Sequence, residues 1–364
     1  MIHFVIGTRA QLFKMAPIML ECEKRELTWR WVYTAQHRDT IQETVDMFGL
    51  PSPNYVVVKW ETEAKSMAKM WRWFLGMVSA LPRSKRILAG YIGKRHIVLT
   101  HGDTLTTWLA ALMGKTTRTP VMHVESGLRS FNLRKPFPEE LNRLITFRLA
   151  DYYACPGEWA MKNVARYKGI KLNTKMNTQV DTLKFGLAHA GEVEIEVPHE
   201  KYVVVSLHRY ENIFDRERFT RIVEELEGIA ASFRVLLIQH PATQLQIDRF
   251  GFRPRLEGNE RISLLPRLEY FAFIKLVLGC EFVVTDGGGN QEELSYLGKP
   301  TLIFRDESER QEGLGENAVL SKLDAATIAD FVLNYKSFER PRRIPSDSPS
   351  ETIVAFLAKR GFGA

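Results

Sequence analysis

The chain contains little of what identifies a secreted, metal-dependent or covalently acting protein. Its 364 residues include three cysteines, Cys22, Cys155 and Cys280, which are widely spaced and lie in apolar surroundings. Such cysteines predict buried free thiols in a reducing cytoplasm rather than disulfides. The sequence has no Cys/His cluster and no His-Glu-x-x-His motif, so we expect no metal site. A G-x-S-x-G motif is also missing, which argues against a hydrolase-type serine nucleophile.

The sequence also has no uninterrupted apolar run long enough to span a membrane. Its most apolar long stretch, MAKMWRWFLGMVSAL at 67–81, is interrupted by Lys69 and Arg72, whereas a span needs about 18 apolar residues. The amino-terminal MIHFVIGTRA is typical of a buried strand from residue 2 and not of a signal peptide. Within this stretch, apolar residues recur at the spacing of one helix face: Met67, Met70, Phe74, Met77 and Leu81. Such a face either packs in the core or forms a dimer or membrane surface.

The charge balance does not point to a nucleic-acid partner. The formal net charge is +7, but basic residues are mixed with acidic ones, and no named nucleic-acid-binding motif occurs. A modest positive surplus is sufficient for a small anionic substrate. We therefore expect no nucleic-acid partner and no membrane association.

The length and the element pattern predict two domains. A single core rarely grows beyond roughly 250–300 residues. Apolar strands alternate with helices of moderate length up to about residue 155, the pattern weakens over 186–200, and it then restarts. This alternation predicts an α/β fold with two doubly wound, Rossmann-like domains facing a cleft. We place the domains at 1–175 and 176–348. The predicted strands are 2–6, 29–34, 96–100, 119–124, 152–155, 202–206, 234–239, 281–285 and 300–304.

Polar residues follow several predicted strands of the first domain, where ligands of open α/β sheets bind. Gly7-Thr8-Arg9 follows the first strand and Gln36-His37 follows the second. Asp103 and Thr104 follow strand 96–100, and taken alone both are most simply explained as helix caps. Glu125 follows strand 119–124, and a helix-cap role is less expected there because Gly127 lies two residues later.

The second domain repeats this pattern. His208 follows strand 202–206, and the glycine run 287–289 follows strand 281–285. Bare backbone N–H groups at a helix start suit a diphosphate, and Glu292 and Glu293 could accept hydrogen bonds from hydroxyls. Each feature alone has a structural explanation, such as a tight turn or a core histidine. Together they predict a site that binds an anion and moves protons.

The series of motifs resembles a known family. In order, from residue 7 to about residue 312, the chain carries GTRAQLFKMAP, AQHRD, HGDT, HVESGLRS, PFPEELNR, SLHRYEN and TDGGGNQEELSYLGKP. This set is similar to the bacterial non-hydrolysing UDP-N-acetylglucosamine 2-epimerases. The resemblance implies a GT-B fold, with the carboxyl-terminal helix 349–364 packing back on the first domain, and a homodimer. It also implies interconversion of UDP-GlcNAc and UDP-ManNAc without any cofactor.

The resemblance further implies a mechanism and a set of site residues. The C2 proton is removed while UDP leaves C1, giving 2-acetamidoglucal; UDP then adds back and C2 is protonated on the other face. Inversion needs proton-transfer groups on both faces of the sugar, hence several carboxylates. The implied catalytic residues are Asp103, Glu125, Glu139 and His208. The implied substrate-binding residues are Arg9, Lys14, Gln36, His37, Arg143, Arg209, Gly287, Gly288, Gly289 and Glu293.

Departures from the family pattern leave alternatives open. Gln11 stands where the family usually has Glu, and Val205 stands where members activated by a second UDP-GlcNAc carry Arg. The SGLRSFN segment is shared in part with relatives that epimerise UDP-2,3-diacetamido uronic acids, so a related UDP-HexNAc substrate is one alternative. A glycosyltransferase with the same fold is another.

Overall fold

The computed structural model describes residues 1–35, 41–58, 67–133, 138–308 and 310–364. The candidate residues Gln36 and His37 lie outside these ranges. The chain divides into two compact units: unit 1 is Met1–Thr182 with Asp347–Ala364, and unit 2 is Leu183–Ser346. The unit boundary therefore falls after Thr182, where the sequence analysis placed it after residue 175.

Unit 1 is built on a seven-stranded parallel sheet in the order β3-β2-β1-β4-β5-β6-β7. The strands are β1 Ile2–Ile6, β2 Trp29–Tyr33, β3 Tyr55–Val56, β4 Ile97–His101, β5 Val121–Val124, β6 Tyr152–Cys155 and β7 Ile170–Asn173. The helices are α1 Arg9–Lys24, α2 Ile41–Met47, α3 Met67–Ala80, α4 Ser84–Ile87, α5 Leu105–Thr116, α6 Glu139–Leu149, α7 Glu158–Val164, α8 Gln179–His189, which continues into unit 2, and α16 Pro349–Lys359. A 3-10 turn, Leu81–Arg83, joins α3 to α4.

Unit 2 is built on a six-stranded parallel sheet in the order β10-β9-β8-β11-β12-β13. The strands are β8 Tyr202–Ser206, β9 Arg234–Ile238, β10 Ile262–Leu265, β11 Val283–Thr285, β12 Thr301–Ile303 and β13 Ala318–Leu320. The helices are α9 Tyr210–Ile213, α10 Arg216–Ala230, α11 Pro241–Phe250, α12 Arg253–Glu257, α13 Tyr270–Gly279, α14 Gly288–Leu297 and α15 Ala325–Asn334, followed by the 3-10 turn Tyr335–Phe338.

The parallel sheets explain why the strands are apolar on both sides. Every residue of β1 and of β4 is buried, and four of the five residues of β8 are buried. Because helices cover both faces of a parallel sheet, the side chains on both sides of each strand are buried. The strands are therefore continuous apolar runs and do not alternate between apolar and polar residues. The predicted fold class, α/β with two doubly wound units, is confirmed.

The apolar helix α3 has a buried face and an exposed apolar stripe. Trp73 and Met77 are fully buried, and the Trp73 indole donates to the Thr34 carbonyl at 2.8 Å. The core-packing alternative therefore holds for one face of the helix. On another face, Trp71 and Leu75 are 60% and 62% exposed.

The cysteines agree with their prediction. All three are free and buried, and burial raises the pKa of each thiol to about 12. Within the described ranges, no helix combines the length and the apolar character that a membrane crossing requires.

Each sheet has one position where the strand order reverses. In unit 1 it lies between β1 and β4, and in unit 2 between β8 and β11. Loops that follow two such strands leave in opposite directions and open a crevice at their carboxyl ends, which is where open α/β sheets bind ligands. The predicted site residues Asp103, His208 and Gly287 all follow a strand at one of these positions.

Candidate active site

The turn after β1 is fixed to the turn after β4 by Gln11. Its side-chain amide donates to the His101 carbonyl at 2.7 Å and to Thr104 Oγ1 at 3.0 Å, and its Oε1 accepts from the Gly7 N–H at 2.9 Å. Gly7 has no room for a side chain, since an added Cβ would lie 2.0 Å from Thr106 Oγ1. Gln11, one of the departures from the family pattern, thus links the turn after β1 to the turn after β4 through its side-chain hydrogen bonds.

Glu125 is surrounded by donors. Lys14 Nζ lies 2.9 Å from both carboxylate oxygens, Asn177 Nδ2 donates to Oε1 at 2.6 Å, and His101 Nε2 lies 3.2 Å from Oε2. The Glu125 side chain is only 7% exposed. An ionised carboxylate accepts hydrogen bonds and donates none, so the Lys14 and Asn177 donors match it. The backbone of Glu125 adopts a φ of 60°, a conformation that is uncommon outside glycine and that often marks functional sites.

Asp103 is oriented by helix α6 and does not cap helix α5. The N-cap of α5 is Thr104, whose backbone N–H donates to Thr107 Oγ1 at 3.1 Å, so the cap prediction is confirmed for Thr104 and wrong for Asp103. Arg143 donates to Asp103 Oδ2, and Asn142 Nδ2 donates to the Asp103 carbonyl at 2.8 Å. The Asp103 side chain keeps 27% exposure, enough to meet a ligand.

The two acids that start α6 have different surroundings. Glu140 is fully buried and accepts hydrogen bonds from Arg129 Nε, from the Ser130 N–H at 3.1 Å and from Arg143 Nη1 at 3.3 Å. Burial opposes ionisation of Glu140, but these partners together lower its pKa below the usual value. Glu140 therefore anchors the start of α6, and its neighbour Glu139 is partly exposed.

Arg9 and His123 make other contacts within unit 1. Arg9 begins α1, packs over the Phe13 ring at 5.0 Å and donates to Thr44 Oγ1 at 3.2 Å. His123 Nε2 donates to the Gly102 carbonyl at 2.7 Å, and burial lowers its pKa to about 4, so the ring is neutral. The structure thus brings together Lys14, Asp103, Glu125 and Arg143, with His101 and Asn177 as members that the sequence analysis missed.

In unit 2, the loop that carries His208 is organised by the buried carboxylate of Asp286. It accepts from the backbone N–H groups of His208 and Arg209, both at 3.0 Å, and from Asn212 Nδ2 at 2.9 Å. The His208 ring lies close to the glycine run, since a Cβ added to Gly287 would be 3.1 Å from its Cε1. The sequence gives no sign of this role for Asp286, because a buried acceptor leaves no periodic signal.

The glycine run forms the amino terminus of α14. Gly287 is the N-cap, and its N–H donates to Thr285 Oγ1 at 3.1 Å. A Cβ added to Gly289 would meet nothing within 4 Å, so open space lies beside this turn. The first N–H groups of a helix have no partner within it and carry partial positive charge, which suits an anion.

The two acids of α14 are both buried but have different partners. Tyr270 donates its hydroxyl to Glu293 Oε1 at 2.5 Å, and burial, with the Glu293 charge, raises the pKa of Tyr270 well above its usual value. Glu292, which the sequence analysis considered beside Glu293 as a hydroxyl acceptor, instead receives a hydrogen bond from Arg310 Nη1 at 2.6 Å. In the part of the chain that the structure describes, no group of three or more His, Cys, Asp or Glu side chains could hold a metal ion.

Known proteins match this chain over most of its length. A family model described as UDP-N-acetylglucosamine 2-epimerase matches residues 20–343. The UDP-N-acetylglucosamine 2-epimerase of Methanocaldococcus jannaschii is 30% identical over 354 residues, which cover 92% of this chain and 93% of the relative. The UDP-2,3-diacetamido-2,3-dideoxy-D-glucuronate 2-epimerase of Pseudomonas aeruginosa is 30% identical over 314 residues, covering 84% of this chain and 83% of that one.

A solved structure agrees over almost the whole chain. The crystal structure of the Methanocaldococcus jannaschii UDP-GlcNAc 2-epimerase in complex with UDP-GlcNAc and UDP matches with a TM-score of 0.81 and 26% identity, covering 98% of this chain and 99% of that one. The matched family model spans most of the sequence and includes Asp103, Glu125, His208 and the glycine run. The chain belongs to the UDP-N-acetylglucosamine 2-epimerase family.

Proposed function

We propose that this protein interconverts UDP-GlcNAc and UDP-ManNAc as a non-hydrolysing 2-epimerase. The observation that carries the proposal is the pair of carboxylates, Asp103 and Glu125, at the carboxyl ends of the neighbouring strands β4 and β5. Each is held by a cation from a different helix, Arg143 from α6 and Lys14 from α1. Family membership supports this substrate, and so does the binding of UDP-GlcNAc and UDP by the matched crystal structure.

The proposed reaction needs only acid–base groups and a site for the leaving group. A carboxylate takes the C2 proton, the C–H electron pair becomes the C1–C2 double bond, and UDP leaves with the electrons of the C1–O bond. In the return step, UDP attacks C1 while C2 receives a proton on the opposite face. Asp103, Glu125 and Glu139 supply the proton-transfer groups of this scheme, since inversion uses both faces of the sugar.

Unit 2 provides the groups proposed for the leaving UDP. The N–H groups at the start of α14 and the nearby His208 would bind the diphosphate, and Glu293 would bind the ribose. Donors already aimed at the diphosphate stabilise the charge that develops on it as the C1–O bond breaks. Lys14 and Arg143 would hold the carboxylates in place while the proton moves, which is a positioning contribution.

Incubation with UDP-GlcNAc in D2O, followed by NMR at C2, tests this function. Deuterium at C2 together with UDP-ManNAc is the expected result. UDP release that requires an added sugar acceptor would instead indicate a glycosyltransferase. If C2 stays protonated, UDP-2,3-diacetamido-2,3-dideoxy-D-glucuronate is the next substrate to test, because a relative named for that activity is 30% identical.

The kinetics should be hyperbolic in UDP-GlcNAc. Val205, at the position where activated family members carry Arg, is fully buried in the hydrophobic core of unit 2. Losing a guanidinium–diphosphate contact costs about 1.5–3 kcal/mol, which weakens a modest activator site by about 10- to 100-fold. The reverse reaction from purified UDP-ManNAc should therefore start without added UDP-GlcNAc. A lag that a trace of UDP-GlcNAc abolishes would contradict this prediction.

We also propose a homodimer and a cytoplasmic location. The exposed stripe of Trp71 and Leu75 on α3 is an apolar surface that a second copy could cover, and three free thiols suit a reducing compartment. Light scattering after size exclusion should give twice the chain mass, and Trp71→Glu combined with Leu75→Glu should give monomers. A monomeric native protein, or a double variant that stays dimeric, would show that α3 is not the interface.

A further inference from the structure

A second group of ionisable side chains lies away from the candidate active site. His3 on β1 and Arg30 on β2 are paired in the strand register, and His96 immediately precedes β4. The His3 and His96 rings are 6.5 Å apart, and the Tyr91 and His96 rings are 5.8 Å apart. We call His3, Arg30, Tyr91 and His96 the amino-edge cluster, because it lies at the amino ends of these strands. The carboxylates of the candidate active site follow the carboxyl ends.

Arg30 is the central observation in this cluster. The residue is 9% exposed, and its Nε is buried without a hydrogen-bond partner among the described residues. No ion pair or side-chain hydrogen bond of Arg30 occurs among residues 1–35, 41–58, 67–133, 138–308 and 310–364. Burial lowers the pKa of this guanidinium, although Tyr91 opposes the shift. A largely buried cation that meets no counter-charge among the described residues is costly, so an anion that pairs with Arg30 would bind with an electrostatic advantage.

The imidazoles of the cluster also have unused nitrogens. His3 is fully buried and donates from Nε2 to the Tyr91 carbonyl at 2.7 Å, and its Nδ1 is buried and meets no partner in the described ranges. His96 Nδ1 is likewise buried and has no partner in the described part of the chain. Burial, together with the charges of Arg30, His96 and the amino terminus, lowers the pKa of His3 to about 4. No carboxylate contributes to that shift, so the cluster has no acid of its own to neutralise Arg30.

We propose that the amino-edge cluster binds a phosphate-type oxyanion, either inorganic phosphate or the phosphate of a small metabolite. Hydrogen phosphate carries acceptor oxygens for the Arg30 guanidinium, and it also carries a P–OH group that donates to a neutral imidazole nitrogen. Sulfate has the same shape but no such proton near neutral pH, and it should bind less tightly. Tyr91 is 45% exposed, so the cluster reaches solvent on that side.

Titration of the whole protein with inorganic phosphate tests this site, with UDP kept saturating to occupy the proposed diphosphate site. We expect saturable heat in calorimetry and a concentration-dependent rise in melting temperature. Arg30→Met should weaken phosphate binding at least about 10-fold, the scale of a lost charge-assisted hydrogen bond. The matched control is Lys94→Met, which removes an exposed cation of the same loop and should bind phosphate as the native protein does.

The same variants separate a binding role of Arg30 from a structural one. In phosphate-free buffer, Arg30→Met should be at least as stable as the native protein, because it removes a buried unpaired charge. The NMR signals of His3 and His96, identified with His3→Gln and His96→Gln, should shift with phosphate more than with sulfate. A phosphomonoester such as glycerol phosphate that binds more tightly than phosphate would identify a metabolite as the ligand, and weaker binding would identify the free ion.

Three results would overturn the proposal. The first is phosphate binding that is equal in the native protein and Arg30→Met, which would put the anion elsewhere. The second is the absence of any saturable response to phosphate in the native protein. The third is a loss of the dimer in Arg30→Met without any phosphate effect, which would show that a carboxylate of a second copy pairs with Arg30.

Discussion

Glu125→Gln is expected to lower turnover at least about 100-fold, the scale of a lost acid–base group, while UDP affinity changes little. The native carboxylate is held by Lys14 at 2.9 Å and by Asn177 at 2.6 Å. The glutamine amide is neutral and is a much weaker base than the carboxylate, so it cannot accept the C2 proton. It also places an N–H₂ group against one of these two donors. The groups proposed to bind UDP all lie in unit 2, so calorimetry with UDP should show an intact nucleotide site.

Companion variants make this test specific. Asp103→Asn and Glu139→Gln should show losses of similar size, whereas Glu158→Gln, which changes an exposed carboxylate of the same unit, should keep native turnover. In Glu125→Gln the ammonium of Lys14 remains largely buried, with 14% exposure, and faces a neutral group. Adding Lys14→Met removes this unpaired cation and should recover stability but not turnover. Near-native turnover in all three carboxylate variants would remove the proposed acid–base mechanism.

Gly289→Val is expected to weaken UDP binding at least about 10-fold, the cost of losing charged hydrogen bonds to a diphosphate. The space beside Gly289 is open, since an added Cβ meets nothing within 4 Å. The valine therefore fits the folded protein and competes with a ligand for that space. The melting temperature without UDP should stay close to the native value, which separates lost binding from lost folding.

Gly228→Val provides the matched control for the glycine run. Gly228 lies on α10 of the same unit, is exposed, and also has no atom within 4 Å of an added Cβ. It should bind UDP with native affinity. Calorimetry that gives the same UDP affinity for Gly289→Val as for Gly228→Val would place the diphosphate site elsewhere.

The central strands and the order of the elements could be predicted from the sequence, but the sheet edges could not. Strands such as β1 and β8 are continuous apolar runs because helices cover both of their faces. The strands that the sequence analysis missed lie at or near the sheet edges and are short or partly exposed, as in the two-residue β3. A short strand with mixed polarity carries no period of its own, and the neighbouring strand decides that it pairs.

The residues of the candidate site also divide into those that the sequence predicts and those that only the folded structure reveals. Asp103 and Glu125 could be found because each follows an apolar strand directly, at the edge where ligands bind. Asn177 could not be found in this way, since it follows the missed strand β7 and reaches Glu125 across the fold. The predicted helix cap is confirmed for Thr104 and wrong for Asp103, because a sequence pattern cannot decide which of two neighbouring cap residues begins the helix.

The sequence by itself determined the α/β class, the two-unit organisation and the positions of the chemical groups along the chain, because local apolar patterns and turn residues are written in consecutive residues. Tertiary structure alone decided which acid stays partly exposed. Glu139 and Glu140 are identical neighbours, yet Glu140 is buried against Arg129 and Arg143. It also decided that Arg30 is largely buried and meets no counter-charge within the described ranges. Partners distant in sequence set both environments, and such pairings exist only once the chain has folded.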